Sequence, residues 1–498
     1  MLQRLPFILL ILVSSIAEAR DLWVDPVNGS DSNSGASRAA ALQTITEAWA
    51  RIPAGTELTE AFHIQLVAGT YPRTSMPNYW ERRYGTSGAP VVIQAADGSR
   101  TAHLQGDVNM FDTRYVSLIG LDVTPDPPGD VIHCEQCQSL TIHDCLLDGG
   151  NQIAQETVKV NQSQQITIEQ STIRGAWDNA IDFVAVEYAT IAKNDISNAG
   201  DWCMYTKGGS AYITVQQNEI HQCGTGGFTA GQGTGLQFMS LPWVHYEAYD
   251  VRVINNVIHD TIGAGLGVNG GYNILMAHNT LYRVGTRSHM IEVVFGARSC
   301  DGQPGDPGRD RCQQYIDAGG WGTTVVDDGN NFVRIPNRNI YVYNNLLYNP
   351  PGTVSPQIFN IAGIYSGQSS PPAIADQNLQ ILGNVIFDGD SSTPLGLGDS
   401  SGCQSSNPAC NEAQIRRDNI INVFEPDLVN PAGGDFRPKP NGTLQHVAPV
   451  LIPDFTWSDA PARPAPPPGR LSNAGVTGAV VGANLNVSGG GRRRAVRH

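Results

Sequence analysis

The chain has 498 residues, 15% of them charged, and carries a formal net charge of −15. An acidic balance of this size argues against nucleic acid as a partner. It also sits awkwardly with a polyanionic ligand unless a cation or a local basic patch intervenes. No apolar run is long enough to span a bilayer, so no membrane association is expected.

Residues 1–19 read as a secretory signal, with Arg4 as the charged start, Leu5 to Ile16 as the apolar stretch and Ala17-Glu-Ala19 as the cleavage site. The mature chain is then expected to begin at Arg20 and to be secreted, extracellular or periplasmic. Nine cysteines in an exported chain can oxidise. Cys300/Cys312 and Cys403/Cys410 each bracket a polar loop, and Cys203 and Cys223 lie close to one repeat apart. Cys134, Cys137 and Cys145 leave one thiol over, and sequence alone does not fix the connectivity. No His or Cys cluster shows ligand spacing, so a zinc-type site is not expected.

Residues 21–75 form an entry segment: a strand from Leu22, a Gly/Asn/Ser loop to Gly35, a short helix over Thr44–Arg51, and a strand and turn over Phe62–Tyr71. From about residue 91 to 424 one unit recurs. It reads Ile213-Thr-Val-Gln-Gln-Asn218-Glu-Ile, Val251-Arg-Val-Ile-Asn-Asn256-Val-Ile and Ile274-Leu-Met-Ala-His-Asn279-Thr-Leu, with further copies at Asn194, Asn345 and Asn384. Weaker copies put Leu121, Cys145, Ser171 and Asp418 at the same place. The base step is about 23–24 residues, the sign of one supersecondary unit stacked on itself. Alternation inside each copy means strand. Asparagine suits the bend, because it tolerates left-handed backbone, and stacked amides can bond in a ladder.

These repeats make the chain resemble the right-handed parallel β-helix proteins of the pectate-lyase-like superfamily. The resemblance implies an all-β solenoid over residues 20–480 with a helical N-terminal cap and loop insertions, and the Gly/Arg-rich composition of residues 481–498 predicts a disordered tail. The opening segment and the closing Asp435-Phe-Arg-Pro and Gly475-Val-Thr-Gly-Ala479 resemble the ends of such proteins. A capped stack of this kind is expected to be a monomer. Two insertions stand out, Cys223–Tyr249 and Arg283–Arg338, and excursions from a repeat tend to carry binding.

In this superfamily the active face is built on the strand that follows the asparagine unit. Here those strands are 157–160, 180–183, 202–207, 265–268 and 290–294. Alternation points Lys159, Asp182, Glu292, Tyr205 and Lys207 outward, with Lys159, Asp182 and Tyr205 or Lys207 in one column. The resemblance implies β-elimination on a uronate glycan, with Lys207 or Lys159 as base. Ca²⁺ held by Asp178, Asp182 and Asp201 would acidify the α-proton. The denser aspartate run of the related lyases is absent. Arg283, Arg287 and Arg298, with His289, are candidates to seat a carboxylate, and Trp243 and His245, beside Tyr246 and Glu247, a sugar platform. The bland readings are a structural lysine paired to Asp182 or Asp201, a salt-bridged loop root and an aromatic pinned under a loop. Two other functions fit the same residues: a glycoside hydrolase using Asp182 and Glu292, and a non-catalytic glycan-binding or surface protein.

Overall fold

The structure is a computed structural model that describes residues 19–125, 129–300, 305–322, 333–365, 367, 369–397, 402–453 and 481–485. The expected signal up to residue 18, the Gly475–Ala479 end and the tail beyond 485 lie outside the described residues.

Three parallel sheets wind around one apolar core. The first holds twelve strands, from Arg20–Val24 to Gln377–Leu382, and its later strands lead into the bend that carries the asparagines. The second, also of twelve, runs from Gly69–Pro72 to Ile420–Ile421 just after that bend. The third has ten strands, from Trp80–Glu81 to Gln357–Ile361. Alternate residues enter the core along many of the strands, as in Phe62–Leu66, where Phe62, Ile64 and Leu66 are buried. Apolar side chains of successive coils stack there, and no coil can bury its inner face without its neighbours. The chain is thus a right-handed parallel β-helix. Among the described residues no helix is long and apolar enough to cross a membrane.

The asparagine ladder forms. Asn194 donates through Nδ2 to Asn218 Oδ1 at 3.0 Å, and the same bond continues through Asn256, Asn279, Asn345 and Asn384. Two details differ from expectation. The left-handed residue is the one before the ladder asparagine, as at Lys193 (φ 58°), Gln217 (56°) and His278 (54°), so the asparagine is there for its amide and not for its backbone. The last rung is Asn419 rather than Asp418, with Asn384 donating to its Oδ1 at 2.8 Å. Helix Glu412–Asp418 enters that coil and shifts the register by one, leaving Asp418 paired with Arg417.

Coil pairing also starts earlier than residue 91, because Arg20–Val24 and Phe62–Leu66 are already rungs of the first sheet. The entry helix spans Ile45–Ala50, with Thr44 accepting from Glu47 N–H at 3.1 Å as its cap. Its Trp49 packs edge-on against Trp80, which closes the end of the core. The disulfides are Cys134–Cys137, Cys203–Cys223, Cys300–Cys312 and Cys403–Cys410, and Cys145 is the buried free thiol. Residues 481–485, expected in the tail, instead pack on the stack. Gly482 N–H donates to Asn344 O and Ala483 N–H to Thr280 Oγ1, both at 2.9 Å.

Candidate active site

The third sheet puts the outward residues in columns. His133, Lys159, Asp182, Tyr205, Thr229, Gly267 and Glu292 are successive partners in one of them. Glu135, Asn161, Val184 and Lys207 follow the same order two residues further along each strand. Gly226–Gly231, expected inside the first insertion, is itself a strand of this sheet, so the excursion proper starts after it. That excursion returns over the sheet as a wall of Gly233–Gly235 and Phe238. Between wall and sheet lies a groove of about 370 Å³, lined also by Glu135, Lys159, Asp182 and Lys207. Phe238 is 53% exposed above it, and its carbonyl accepts from Gln162 Nε2 at 3.3 Å.

The two lysines on this floor are held differently. Lys159 Nζ lies 3.5 Å from Asp182 Oδ2 and 3.7 Å from Glu156 Oε1. Burial pulls its pKa down, but Asp182, Glu156 and Asp130 outweigh that and hold the ammonium above its usual range. Lys207 Nζ instead donates to the Tyr205 hydroxyl at 3.0 Å and to Gln232 Oε1 at 3.2 Å, and lies over the Tyr205 ring. No carboxylate among the described residues forms an ion pair with it. The salt bridge weighed for Lys207 therefore belongs to Lys159. Burial, together with the nearby carboxylates and a hydrogen bond to Asp182, keeps the Tyr205 phenol protonated.

Glu156, which sequence reading missed, is almost fully buried beneath this column and accepts from Asn179 N–H at 2.8 Å. Burial first, then the charges of Asp182 and Asp178, push its pKa from 4.5 to about 9. Across that window the folded chain holds a proton that the unfolded chain has lost, so stability falls as pH rises. The slope is at most about 1.4 kcal/mol per pH unit, the value for one proton. Denaturant titrations from pH 5 to 9 are expected to show this decline, and Glu156→Gln is expected to flatten it. An unchanged slope in the variant would refute the assignment.

Other expected site residues fall elsewhere. Asp182 and Glu292 stand four rungs apart, ~19 Å at about 4.8 Å per coil. Paired glycosidase carboxylates stand about 5–9.5 Å apart, so these two cannot work on one bond. Glu292 is held by His289 Nε2 at 3.0 Å. Arg283 lies on the second sheet, paired with Asp260 at 2.7 Å. Arg287 is exposed in the bend before the His289–Val294 strand. Glu292, His289, Arg283 and Arg287 are not among the residues that line the groove.

Trp243 and His245 are buried, Trp243 against Tyr212 and Tyr249 and His245 against Trp321, so neither is a sugar platform. Glu247 is fully buried too, bonded to Arg298 through Nε at 3.0 Å and also through Nη2. Asp178 and Asp201 share the corner beside the third sheet, where Asp201 N–H donates to Asp178 O at 2.9 Å. With Asp182 turned to Lys159, the three acids do not bring their oxygens within 4.8 Å of one another, and so form no ready calcium cage. Burial, then Asp201 and Asp182, raise the Asp178 carboxyl.

Residues 130–299 match the family model described as a right handed beta helix region. No curated protein matches the chain. Among solved structures it is similar to a pectate lyase, at 14% identity over 89% of this chain and 94% of that one, with a TM-score of 0.46. It is similar to XylC in complex with xylose, at 12% identity over 82% and 87% of the chains and a TM-score of 0.47. A lacto-N-biosidase from Eubacterium ramulus aligns at 9% identity over 81% and 68%, with a TM-score of 0.44. Likenesses this distant carry no argument about chemistry. The fold rests on the sheets and the family match, and the reading of the groove on its own residues.

Proposed function

We propose that this is a secreted carbohydrate-active enzyme, a polysaccharide lyase that cleaves a uronate-containing glycan by β-elimination in the groove of the third sheet. The observation that carries the reading is Lys207, whose side-chain nitrogen on the groove floor has the neutral Tyr205 and Gln232 as its hydrogen-bond partners among the described residues, beside a second lysine that is ion-paired to Asp182. In the reaction Lys207 Nζ takes the proton α to the uronate carboxylate. The electron pair forms a double bond as the β-linked sugar oxygen leaves, and that oxygen takes up a proton from solvent. Tyr205, which keeps its own proton, orients the amine. Lys159 stays cationic and offsets part of the negative charge that grows on the carboxylate.

The acidic chain charge is less of an obstacle here than the sequence suggests. A Glu156 held up to about 9 is neutral at pH 7, and Asp182 is matched by Lys159. Phe238 offers an exposed ring on which a sugar can lie. Calcium enters this reading only at Asp178 and Asp201, whose mutual repulsion a divalent ion would relieve; Asp182 is not part of that set, and no step depends on it.

The test is absorbance in the near-ultraviolet band of unsaturated uronates, with purified mature protein on pectate, alginate and glycosaminoglycans, with and without Ca²⁺. A rise on one of them is expected. Reducing ends released without that absorbance would replace the lyase by a hydrolase, and binding without turnover would leave a glycan-binding protein.

A further inference from the structure

Away from the groove, on the outer face of the second sheet, coil stacking unites three side chains that lie far apart in sequence. Glu219 and His221 belong to one strand, and His259 follows His221 in register on the next coil. One possible ligand atom from each lies within 4.8 Å of the other two, the only such set among the described residues. The imidazole rings stack with centroids 4.8 Å apart, 2° from parallel. His259 Nε2 is 3.0 Å from Glu219 Oε1, while its Nδ1 is 2.6 Å from Asp260 Oδ2. Asp260 is fixed in turn by Arg283 at 2.7 Å. His221 Nε2 lies 3.0 Å from Asp195 Oδ1 on the preceding coil.

Two imidazoles and a carboxylate are the donors of a borderline divalent ion such as zinc, whereas calcium and magnesium prefer oxygen alone. Asp260 accepts from Nδ1 of His259, the usual outer support of a metal-bound histidine, and an ion entering between Nε2 and Glu219 Oε1 displaces the proton that now links them. The side chains are 11–17% exposed, enough for an ion and a water to reach them. One flank is covered by Phe436 of the closing strand Asp435–Pro438, with its ring centroid 5.2 Å from that of His259.

We propose that Glu219, His221 and His259 form a zinc-type metal site that clasps two successive coils beneath the C-terminal closing strand. Bonds of about 2.0–2.2 Å set donors ~3.4 Å apart around a tetrahedral ion. A 4.8 Å span therefore closes through side-chain torsions, with the backbone rungs in place. Because the three donors meet only when the coils stack, the ion binds the folded chain and stabilises it. The site faces away from the groove, and its test does not depend on any activity.

Untagged mature protein, stripped with chelator, is titrated with Co²⁺ and then Zn²⁺. The expected result is one Co²⁺ per chain with visible d–d absorption, its displacement by Zn²⁺, and a higher Tm with Zn²⁺. His221→Ala and His259→Ala are expected to abolish the spectrum, and Asp260→Asn to weaken binding about 10–100-fold. Should a histidine variant not fold, the wild-type titration decides. No cobalt spectrum and no zinc-dependent Tm overturns the site, and so does stoichiometric binding that survives in a folded His259→Ala chain.

Discussion

Lys207→Ala is expected to lower turnover of the uronate glycan by about 10²–10⁴-fold, the range for a missing general base, with little change in substrate affinity. Lys207 makes no ion pair among the described residues, and its two hydrogen bonds go to neutral partners that water can satisfy. Its removal should therefore cost the fold little. The matched comparison is Lys159→Ala. That change strips a buried Asp182 of its cation, and its first effect is on stability, because an unpaired buried carboxylate is expensive. Steady-state kinetics and denaturant unfolding on both variants separate the two lysines. Lys207→Ala should lose kcat and keep its unfolding midpoint, while Lys159→Ala should lose midpoint. A Lys207→Ala enzyme that retained kcat within tenfold would end the assignment of that residue as base.

The coil architecture was legible in the sequence because its signal repeats. Each copy spells the same alternation around one asparagine, and a residue such as Asn256 meets the same neighbours wherever it recurs. Register between coils followed from the repeat, which is why Lys159, Asp182 and Tyr205 fall in one column as expected. What failed was non-repeating. By the repeat alone Asp418 reads as a rung, because the short helix before it has no counterpart in other coils. Gly226–Gly231 looked like loop, since six residues with three glycines show no alternation of polarity, although their backbone pairs on both sides.

The side-chain environment was harder still. Trp243, His245 and Glu247 have the composition of a sugar site, but the excursion that carries them folds over the first sheet and buries them. Glu156 gave no signal because what matters is the depth of its position. Glu219, His221 and His259 belong to copies of the repeat that sequence spacing separates and stacking joins.

The second large effect is expected at Glu247 and Arg298, both fully buried. Either single change, Glu247→Ala or Arg298→Ala, should cost about 3–5 kcal/mol, since it leaves the other charge alone in the interior. The consequence should reach the groove by two hydrogen bonds and one strand pairing. Glu247 Oε2 accepts from Thr234 Oγ1 at 2.6 Å, which holds the Gly233–Gly235 wall. It also accepts from Gly208 N–H at 3.1 Å, directly after Lys207. Arg298 lies on the strand that pairs with that wall, and it donates to Trp321 O at 3.1 Å. Gly208 takes φ +67° and has Val184 Cγ1 only 2.8 Å from where a Cβ would sit, and Ser210 Oγ closes the same turn by donating to Lys207 O at 2.7 Å.

Because a solenoid couples mainly to its nearest coils, the loss should appear first as local opening of residues 232–247 and 296–299. Limited proteolysis and amide exchange of that region, beside global unfolding, would register it. Replacing both residues together, Glu247→Met with Arg298→Met, should recover much of the stability, because no charge is then left unpaired. It should not recover the groove, since Thr234 and Gly208 lose their acceptor. Singles that open no faster than wild type, or a double variant worse than either single, would show that the pair does not hold the wall.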